Sequence, residues 1–389
     1  MIVKNLRREQ LGGNVRLSAD IVHETVPAPF AVIYYEVEER HADLLTDSYA
    51  PFLIAALVPA VFHGEARIVV EGDVAPLLVA GLRCVMGWHH HWYGKRHAPI
   101  AIEAGTRATA LPRRPSAVYL SGGIDSMFTL RRNQLGFPAG HACRADSAIL
   151  VNGFDVRRPD AIRIARDHVQ QIADAATLEL ITVSSNVPLL DDDYPLWAKQ
   201  FGGAAFCSVA HALAPGFQRV WFSANSPIPD LTPWTLHPAT DPNYSSADVE
   251  IRQEGLEFTC VEKVRLLAHW DVALRHARVC TRNPVDRLNC GQCEKCIRTQ
   301  LAFLLAGRLS DASVFPNDDI TVAQVRAVRI RNEGQARDNH DLVRELRAAG
   351  RANLARAVAA NLREYEKWVA WRDGTGLRHR AARVLGFRH

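Results

Sequence analysis

The sequence lacks any apolar run long enough to cross a membrane. Its longest uninterrupted apolar stretch, residues 51–62, falls well short of the roughly 20 residues that a spanning helix needs, and it contains a second proline, Pro59. Residues 1–8 are not followed by the apolar core of a secretory signal. We therefore expect a soluble, cytoplasmic protein without a membrane partner.

A strong charge imbalance is also absent. The 46 Lys and Arg residues against 42 Asp and Glu residues give a net charge of +4, which does not by itself argue for nucleic-acid binding. Hydrophobic residues make up 48% of the chain and charged residues 23%, a balance that is typical of folded rather than disordered proteins. A chain of 389 residues is too long for one average domain, so we expect two or three.

The cysteines are not spaced like a disulfide framework. Four of the eight are isolated and read as small buried hydrophobic residues: Cys84, Cys143, Cys207 and Cys260. The other four, Cys280, Cys290, Cys293 and Cys296, have the spacing C-x9-C-x2-C-x2-C. Thiolates this close in sequence predict a closed, tetrahedral Zn²⁺ site with a structural role, and an iron–sulfur cluster is the alternative.

A glycine-rich loop without the lysine of a Walker motif occupies residues 121–126, which read Ser-Gly-Gly-Ile-Asp-Ser. Residues 117–120 before it form a short apolar run that is typical of a buried parallel strand, and an apolar pattern at helical spacing follows. A strand, a tight turn and a helix N-terminus place several backbone N–H groups around one point. The loop is therefore predicted to bind an anion.

The residue types in this loop suit phosphate binding. Gly122 and Gly123 let the backbone approach an anion without Cβ atoms in the way. Ser121 and Ser126 can add hydroxyl donors, and Asp125 is a natural ligand or partner for Mg²⁺. An ordinary strand-to-helix turn with a capping serine is the alternative interpretation.

Residues 1–110 read as a separate α+β domain of unknown role. The pattern predicts strands at 15–22, 30–37, 66–71 and 98–103, and helices at 48–62 and 74–88. Residues 88–93, Trp-His-His-His-Trp-Tyr, could form a metal- or ligand-facing patch. Consecutive histidines cannot all point one way on a helix or strand, so a role at the surface or in a domain contact is favoured.

From residue 116 the sequence alternates between predicted strands and helices. This pattern predicts an α/β fold, with a Rossmann-like parallel sheet and helices on both faces. Ligands of such open sheets bind beyond the carboxyl ends of the strands. That rule gathers polar side chains at one rim of the sheet: Ser121, Asn152, Asp155, Ser223 and Asn225.

A long loop rich in proline and polar groups follows, at residues 226–246. Loops of this length inside a compact domain are usually functional, and a disordered insertion is the alternative, against which the aromatic residues argue. Lys263, in the first turns of the next predicted helix, could reach a phosphate. A solvated helix lysine is the alternative interpretation.

Taken together, the glycine-rich loop and the cysteine run resemble the motifs of a known enzyme family. The loop resembles the pyrophosphate loop, SGGxDS, of the ATP pyrophosphatase superfamily, with Ile124 at its variable position. With the cysteine run, Arg298 and the Ala302-Phe303 pair beyond it, residues 116–306 resemble 7-cyano-7-deazaguanine synthase. This implies a PP-loop domain at residues 116–310 with a fold similar to adenine nucleotide alpha hydrolases, between the N-terminal domain and a helical extension at 311–389.

The resemblance also implies an activity. It is that of an ATP-dependent ligase that adenylates a carboxylate or amide, lets ammonia or another nucleophile attack, and releases AMP and pyrophosphate. Implied cofactors are ATP, Mg²⁺ and structural Zn²⁺. Asp125, Ser126 and Lys263 are the expected catalytic residues. The expected ATP contacts are Ser121, Gly122, Gly123, Ile124, Asp125, Ser126, Asn152 and Ser223.

The chain departs from the family in ways that leave the acceptor open. Residues 1–110 and 311–389 are additional to the family's core, and residues 226–246 replace the family's substrate loop. Arg298 also lies slightly nearer the last cysteine than the family's pattern leads us to expect. The acceptor could be the deazaguanine acid itself, a small metabolite or a protein-borne carboxylate. Because Met1 is not a cysteine that could hydrolyse glutamine, we expect ammonia to be free or delivered by a partner.

Two further functions stay open at this point. Residues 321–389 are helical by pattern and carry 15 Lys and Arg against 7 Asp and Glu. This basic end favours a tRNA-modifying ATP pyrophosphatase, although a solvated helix without a nucleic-acid partner is the commoner outcome. Four metal-bound cysteines argue against a thiolating enzyme, because they leave no free pair of cysteines for sulfur relay. A non-catalytic nucleotide-binding regulator is the other alternative, and a homodimer is compatible with each.

Overall fold

The computed structural model describes residues 1–25, 31–94, 97–107, 112, 114–154, 159–191, 193–280, 282–284 and 286–384, without the side chains of 159–161 and 374–384. Asp155 of the predicted rim lies outside these residues. The chain divides into two compact units, unit 1 at Met1–Glu257 and unit 2 at Phe258–His389. This division differs from the three segments expected from the sequence, which stay a prediction.

Unit 1 is an α/β structure built on one ten-stranded, mostly parallel sheet with the order β10-β9-β6-β7-β8-β3-β2-β1-β4-β5. The strands are β1 Ile2–Leu11, β2 Asn14–Val22, β3 Ala31–Glu38, β4 Arg67–Val74, β5 Ala101–Thr106, β6 Ser116–Tyr119, β7 Ala145–Asn152, β8 Glu179–Ser185, β9 Arg219–Ser223 and β10 Glu250–Glu254. The helices are α1 Ala50–Phe62, α2 Pro76–Tyr93, α3 Ile124–Gly136, α4 Pro159–Ala175, α5 Tyr194–Leu196 and α6 Gly202–Ala212.

Strands from both sides of residue 110 belong to this sheet. The antiparallel pairing of β3 with β8, through Tyr35 opposite Ser185 and Glu36 opposite Ser184, joins the N-terminal segment to the alternating core. The strands β6 to β10 are parallel to their neighbours within the core. The N-terminal strands therefore extend the core sheet and share its hydrophobic interior.

The order of the parallel strands defines where the sheet reverses direction. The chain moves from β6 through α3 to β7, and through α4 to β8, then returns through α6 to β9 on the other side of β6. Because such crossovers are right-handed, we infer that α3 and α4 cover one face and α6 the other. The topological switch point of the sheet thus lies between β6 and β9.

Unit 2 is helical in its described residues, with α7 Cys260–Leu267, α8 Asp271–His276, α9 Glu294–Leu305, α10 Val322–Arg326, α11 Glu333–Ala348 and α12 Ala352–Val384. Thr259 and Glu262 form a capping box that fixes the start of α7. Across the described part of the chain, no helix combines the length and the apolar character needed to span a membrane.

Candidate functional site

The loop after β6 is organised by two serine hydroxyls. The Ser126 hydroxyl accepts a hydrogen bond from the backbone N–H of Ser121 (3.2 Å) and donates one to the Gly123 carbonyl (3.0 Å). The Ser121 hydroxyl lies 3.2 Å from that of Ser126 and accepts from the Gly123 N–H at 3.4 Å. Ser126 is buried, whereas Ser121 is exposed. Ser126 therefore holds the turn together, and the hydroxyl of the more exposed Ser121 also closes it.

The glycines give the loop its path. Gly122 has a φ of +76°, in the left-handed region that side chains rarely adopt, and its backbone is buried. Gly123 is the N-cap of α3, and its carbonyl accepts the first helical hydrogen bond from Met127. The N–H groups of the first helical turn have no carbonyl partner inside the helix. Together with the positive end of the helix dipole, they make the loop suitable for an anion.

The structure brings Ser223 next to this loop. β6 and β9 pair in parallel with Val118 opposite Trp221, so the same register places Ser223 beside Leu120, one residue before the loop. The Ser223 hydroxyl accepts a hydrogen bond of 3.2 Å from the hydroxyl of Thr129 on α3. Thr129, which is fully buried, was not among the residues expected from the sequence. Its position one turn after Ser126 is the only sequence signal that could have indicated it.

Asn152 lies on the other side of the loop. β6 and β7 pair with Tyr119 opposite Ile149, and this register places Asn152 opposite Gly122. Asn152 is half-buried at the end of β7, and Asn225 is exposed two residues beyond β9. The register therefore brings Ser121, Asn152 and Ser223 to the carboxyl ends of neighbouring strands at the switch point, and Asn225 follows β9; that they form one ligand-binding rim stays a prediction.

Residues 226–246, named here the rim loop, are structured. Its second half is buried at Asp241 and Tyr244, whereas Ile228 and Trp234 in its first half are 60% and 41% exposed. The Thr235 hydroxyl accepts a hydrogen bond of 2.6 Å from the N–H of Gly203 on α6. A Cβ at Gly203 would collide with the Thr235 carbonyl oxygen, so this glycine allows close packing between the helix and the loop.

Two buried ionisable groups support the rim loop. Asp241 accepts hydrogen bonds from the His237 N–H, the Thr240 hydroxyl and the Gln253 amide, yet burial raises its pKa to about 7. Nε2 of His211 on α6 donates to the Tyr244 carbonyl at 2.7 Å, and burial lowers the pKa of this histidine to about 4. Neither group could have been identified from sequence, because neither belongs to a recognisable motif.

The four clustered cysteines of unit 2 converge. Sγ of Cys293 lies 3.4 Å from Sγ of Cys296 and 3.9 Å from that of Cys280, and Sγ of Cys290 lies 3.9 Å from that of Cys296. All four sulfur atoms lie within 4.8 Å of one another. Zn–S bonds of about 2.3 Å in a tetrahedron separate sulfur atoms by about 3.8 Å, so the cluster has the dimensions to hold a metal ion such as Zn²⁺.

Backbone groups support this cluster. The N–H groups of Gln292 and Cys293 donate to Sγ of Cys290 at 3.4 and 3.3 Å. Cys293 is the N-cap of α9 and Cys296 lies in its first turn, where the helix dipole favours a negative thiolate. Without a cation, the hydrogen bond from Cys293, burial and the neighbouring thiolates raise the pKa of Cys296, and burial foremost raises that of Cys280.

Asn289 is a further supporting residue that sequence reasoning missed. Its fully buried side chain accepts from the N–H groups of Val279 and Cys280, and donates to the carbonyls of Ala277 and Val314. It therefore joins the distant ligand Cys280 to the compact run that starts at Cys290. An asparagine directly before the cysteine run is the signal that could have indicated it.

Lys263 and the histidine run at residues 88–93 are the two remaining features singled out from the sequence. Lys263 lies on α7 in unit 2 with its side chain 2% exposed, and its contact with a phosphate stays a prediction. The run at residues 88–93 forms the last turns of α2, where His89 is buried and burial lowers its pKa to about 4. Within the described ranges, the four cysteines are the group of side chains that meets the geometry for a metal ion, and the histidine run does not.

Comparisons with protein-family models, with curated proteins and with solved structures found no match for this chain. The resemblance of residues 116–306 therefore rests on its sequence motifs and stays a prediction.

Proposed function

We propose that this chain is an ATP-dependent ligase of the PP-loop type, which activates a carboxylate as its acyl-adenylate and releases AMP and pyrophosphate. The observation that carries the proposal is the loop at residues 121–126, closed by its own serines and placed beside Ser223 at the switch point of a parallel sheet. An adenine nucleotide fits this position, because the crevice at a switch point is where open α/β sheets bind their ligands.

The chemistry follows from leaving groups. A carboxylate resists attack by ammonia, because it would have to expel an oxide ion. Attack of a carboxylate oxygen on the α-phosphorus of ATP forms the acyl-adenylate and releases pyrophosphate. Ammonia or another amine then attacks the acyl carbon, AMP departs with the oxygen of the former carboxylate, and the nitrogen loses a proton. An acceptor like 7-carboxy-7-deazaguanine would give the amide first, and a nitrile only after further loss of water.

The residues of the loop have separable roles in this scheme. The N–H groups of Gly122 and of the first turn of α3 hold the pyrophosphate portion, and Ser121 adds a hydroxyl donor. Asp125, half-buried in that first turn, is the residue that would hold Mg²⁺, which supplies charge neutralisation at the phosphates when bound. Ser223 extends the donor set on the β9 side.

The cysteine cluster has a structural role in this proposal. Four thiolates leave no open coordination position for a water or a substrate, which catalytic zinc sites keep. The Asn289 network and the N-terminus of α9 then order unit 2 around the ion. An iron–sulfur cluster remains the alternative occupant, and metal analysis of the purified protein separates the two.

A second candidate acceptor is an RNA, as in tRNA-modifying PP-loop enzymes. The observation that favours it is a stretch of α12 in which Trp368 and Trp371 are 46% and 66% exposed and the guanidinium of Arg372 lies 4.9 Å from the centre of the Trp368 ring. Aromatic and cationic side chains of this kind can stack on bases and contact phosphates. A gel shift with bulk tRNA across a salt series tests this candidate.

The test of the main proposal is product analysis. The protein is incubated with ATP, Mg²⁺, ammonia and candidate acids, and the nucleotides are resolved by ion-exchange chromatography. The proposal predicts AMP and pyrophosphate, formed faster with the right acid. Formation of ADP and phosphate would contradict it, and so would a protein that binds ATP but turns over none with any acid.

A further inference from the structure

We propose that helix α2 of the N-terminal segment fixes the conformation of the rim loop, and that Gly81 and Trp92 are positioning residues for the acceptor side of the site. That the rim loop serves an acceptor rests on the proposed function. The role of α2 in setting the conformation of the rim loop does not rest on the proposed function, because it follows from contacts within unit 1.

α2 touches the rim loop at both ends of its buried half. Near the start of the helix, a Cβ at Gly81 would collide with the backbone oxygen of Asn243, so the two backbones are in direct contact. Near the end of the helix, the Trp92 ring packs edge-on against the ring of His237, with centroids 4.7 Å apart. Loop residues 237 and 243 are therefore both held by one rigid helix.

The opposite side of the rim loop is held by α6. The Gly203 N–H donates to the Thr235 hydroxyl, and His211 donates to the Tyr244 carbonyl. α6 itself is joined to the N-terminal segment, since the Tyr35 hydroxyl of β3 donates to the Ser208 hydroxyl at 2.8 Å. The buried half of the rim loop thus lies between α2 and a helix that the same segment supports.

These anchors determine where the exposed half of the rim loop lies. The chain leaves β9 at Ser223, beside the phosphate loop, and reaches its first anchor on α6 at Thr235. Between these points Ile228 and Trp234 are exposed apolar side chains. On the proposed function the acceptor approaches the nucleotide along this stretch, so a shift of the anchored half would change the surface that the acceptor meets. Residues 1–110, which the family resemblance does not cover, would thereby shape the acceptor side of the site.

The first arm of the test compares two glycines on α2 by hydrogen-exchange mass spectrometry. In Gly81→Ala the new methyl group forces Asn243 away, whereas in Gly87→Ala the methyl group meets nothing within 4 Å. An overpacked contact favours local opening, so we expect exchange in peptides covering residues 236–246 to rise about fivefold or more in Gly81→Ala. Gly87→Ala should match the unchanged protein, and residues 124–136 should be unaffected in both. Equal exchange in the two variants would overturn the proposal.

The second arm measures function with 7-carboxy-7-deazaguanine as the probe acid. Trp92→Leu removes the ring contact with His237 without overpacking, and so keeps the test valid if Gly81→Ala fails to fold. We expect KM for the acid to rise severalfold while KM for ATP stays within about twofold, because the contact that the substitution removes is with His237 of the rim loop. Equal increases in both KM values would overturn the positioning role. If the unchanged protein makes no AMP with any acid, the proposed function fails, while the exchange arm still decides the role of α2.

Discussion

The hydroxyl of Thr129 donates a 3.2 Å hydrogen bond to the hydroxyl of Ser223 and so joins α3, the helix after residues 121–126, to the end of β9. The two residues are far apart in sequence but meet across the switch point of the sheet. The bond aligns Ser223 with the loop without placing Thr129 itself at the surface, since Thr129 is fully buried. Thr129 is therefore a positioning residue for the proposed nucleotide site.

Thr129→Val keeps the shape of the side chain and removes its donor. We expect KM for ATP to rise about twofold to tenfold, because a neutral hydrogen bond contributes about 0.5–1.5 kcal/mol. Ser223→Ala should have a similar effect, and the double variant should be no worse than the more affected single one, because both changes remove one shared interaction. Thr129→Ser keeps the hydroxyl and serves as the control. Fully additive effects in this double-mutant cycle would show that the bond does not act on ATP binding.

Asp125→Ala should remove most AMP formation. Loss of a group that acts on transition-state charge commonly costs about 10²–10³ in rate. Asp125 is only half-buried, so the thermal midpoint should change little. Turnover is measured at saturating ATP over a range of Mg²⁺ concentrations. Unchanged turnover with unchanged Mg²⁺ dependence would refute the assignment of this residue.

Cys293→Ser should lower the zinc content well below one ion per chain. Structural zinc sites carry about 10–16 kcal/mol of apparent binding free energy in small peptides, so the loss of one ligand can remove much of the stability of unit 2. Cys84→Ser is the matched control, because Cys84 lies outside the cluster and is exposed, which corrects the expectation that it would be buried. Elemental analysis of the two purified variants checks this. Equal zinc content in both would mean that the four clustered cysteines are not the metal site.

Gly291→Ala tests the geometry of the cysteine run. Gly291 has a φ of +72°, and a Cβ there would lie 2.6 Å from Cγ of Pro316. The left-handed backbone alone costs about 1–2 kcal/mol for a residue with a side chain, and overpacking costs typically another 1–3 kcal/mol. Gly307 has a φ of +70° with nothing within 4 Å of its Cβ position. Gly307→Ala therefore measures the cost of the left-handed backbone alone, without overpacking.

Chemical denaturation with and without added Zn²⁺ measures both glycine variants. Gly291→Ala should lose more stability than Gly307→Ala, and it should bind zinc more weakly. If the two variants lose the same free energy of unfolding, the contact with Pro316 is not a constraint on the site.

Asp241 should make the stability of unit 1 fall as the pH rises. Its folded pKa is raised from 3.8 to about 7, so its contribution is fully present below pH 3.8 and is lost as the pH rises through 7. His211 acts in the opposite sense, because its pKa is lowered from 6.5 to about 4 and its contribution is lost as the pH falls through 4. The decline assigned to Asp241 should therefore run from pH 3.8 to about pH 7 and level off above pH 7, where the carboxyl group is ionised in both states; His211 opposes this decline below pH 6.5.

Asp241→Asn isolates this effect. The asparagine amide can donate to Oε1 of Gln253, which has no hydrogen-bond partner among the residues that the structure describes. Thermal midpoints of the two proteins are compared from pH 5 to pH 9. The variant should be the more stable one at pH 8, and the difference should shrink toward pH 5. A pH-independent difference would mean that Asp241 does not titrate in this range.

The sequence predicted the elements of the core well because their signals are local. Residues 117–120 are an uninterrupted apolar run, and β6 is buried along its whole length. The glycines and serines of the loop after it impose one backbone path, and the cysteine spacing brings four sulfur atoms together within one short segment. Such features depend on neighbours in sequence, so they can be read without knowing the fold.

Features that depend on distant pairing could not be predicted. β1 was missed because most of its side chains are exposed or half-buried, and hydrogen bonds to β2 and β4 rather than an apolar pattern hold it. The pairing of Tyr35 with Ser185 joins segments that no local pattern connects. The contacts of Thr129 with Ser223 and of Trp92 with His237 are likewise tertiary, and single residue types carry no signal for them.

The most direct test of the central claim is the fate of a carboxylate oxygen. An acid that supports turnover, with 7-carboxy-7-deazaguanine as the first choice, is labelled with ¹⁸O in its carboxylate and incubated with ATP, Mg²⁺ and ammonia. The AMP and pyrophosphate are then analysed by mass spectrometry. Adenylation predicts one ¹⁸O atom in each AMP and none in pyrophosphate. Unlabelled AMP, or label in inorganic phosphate together with ADP, would contradict it.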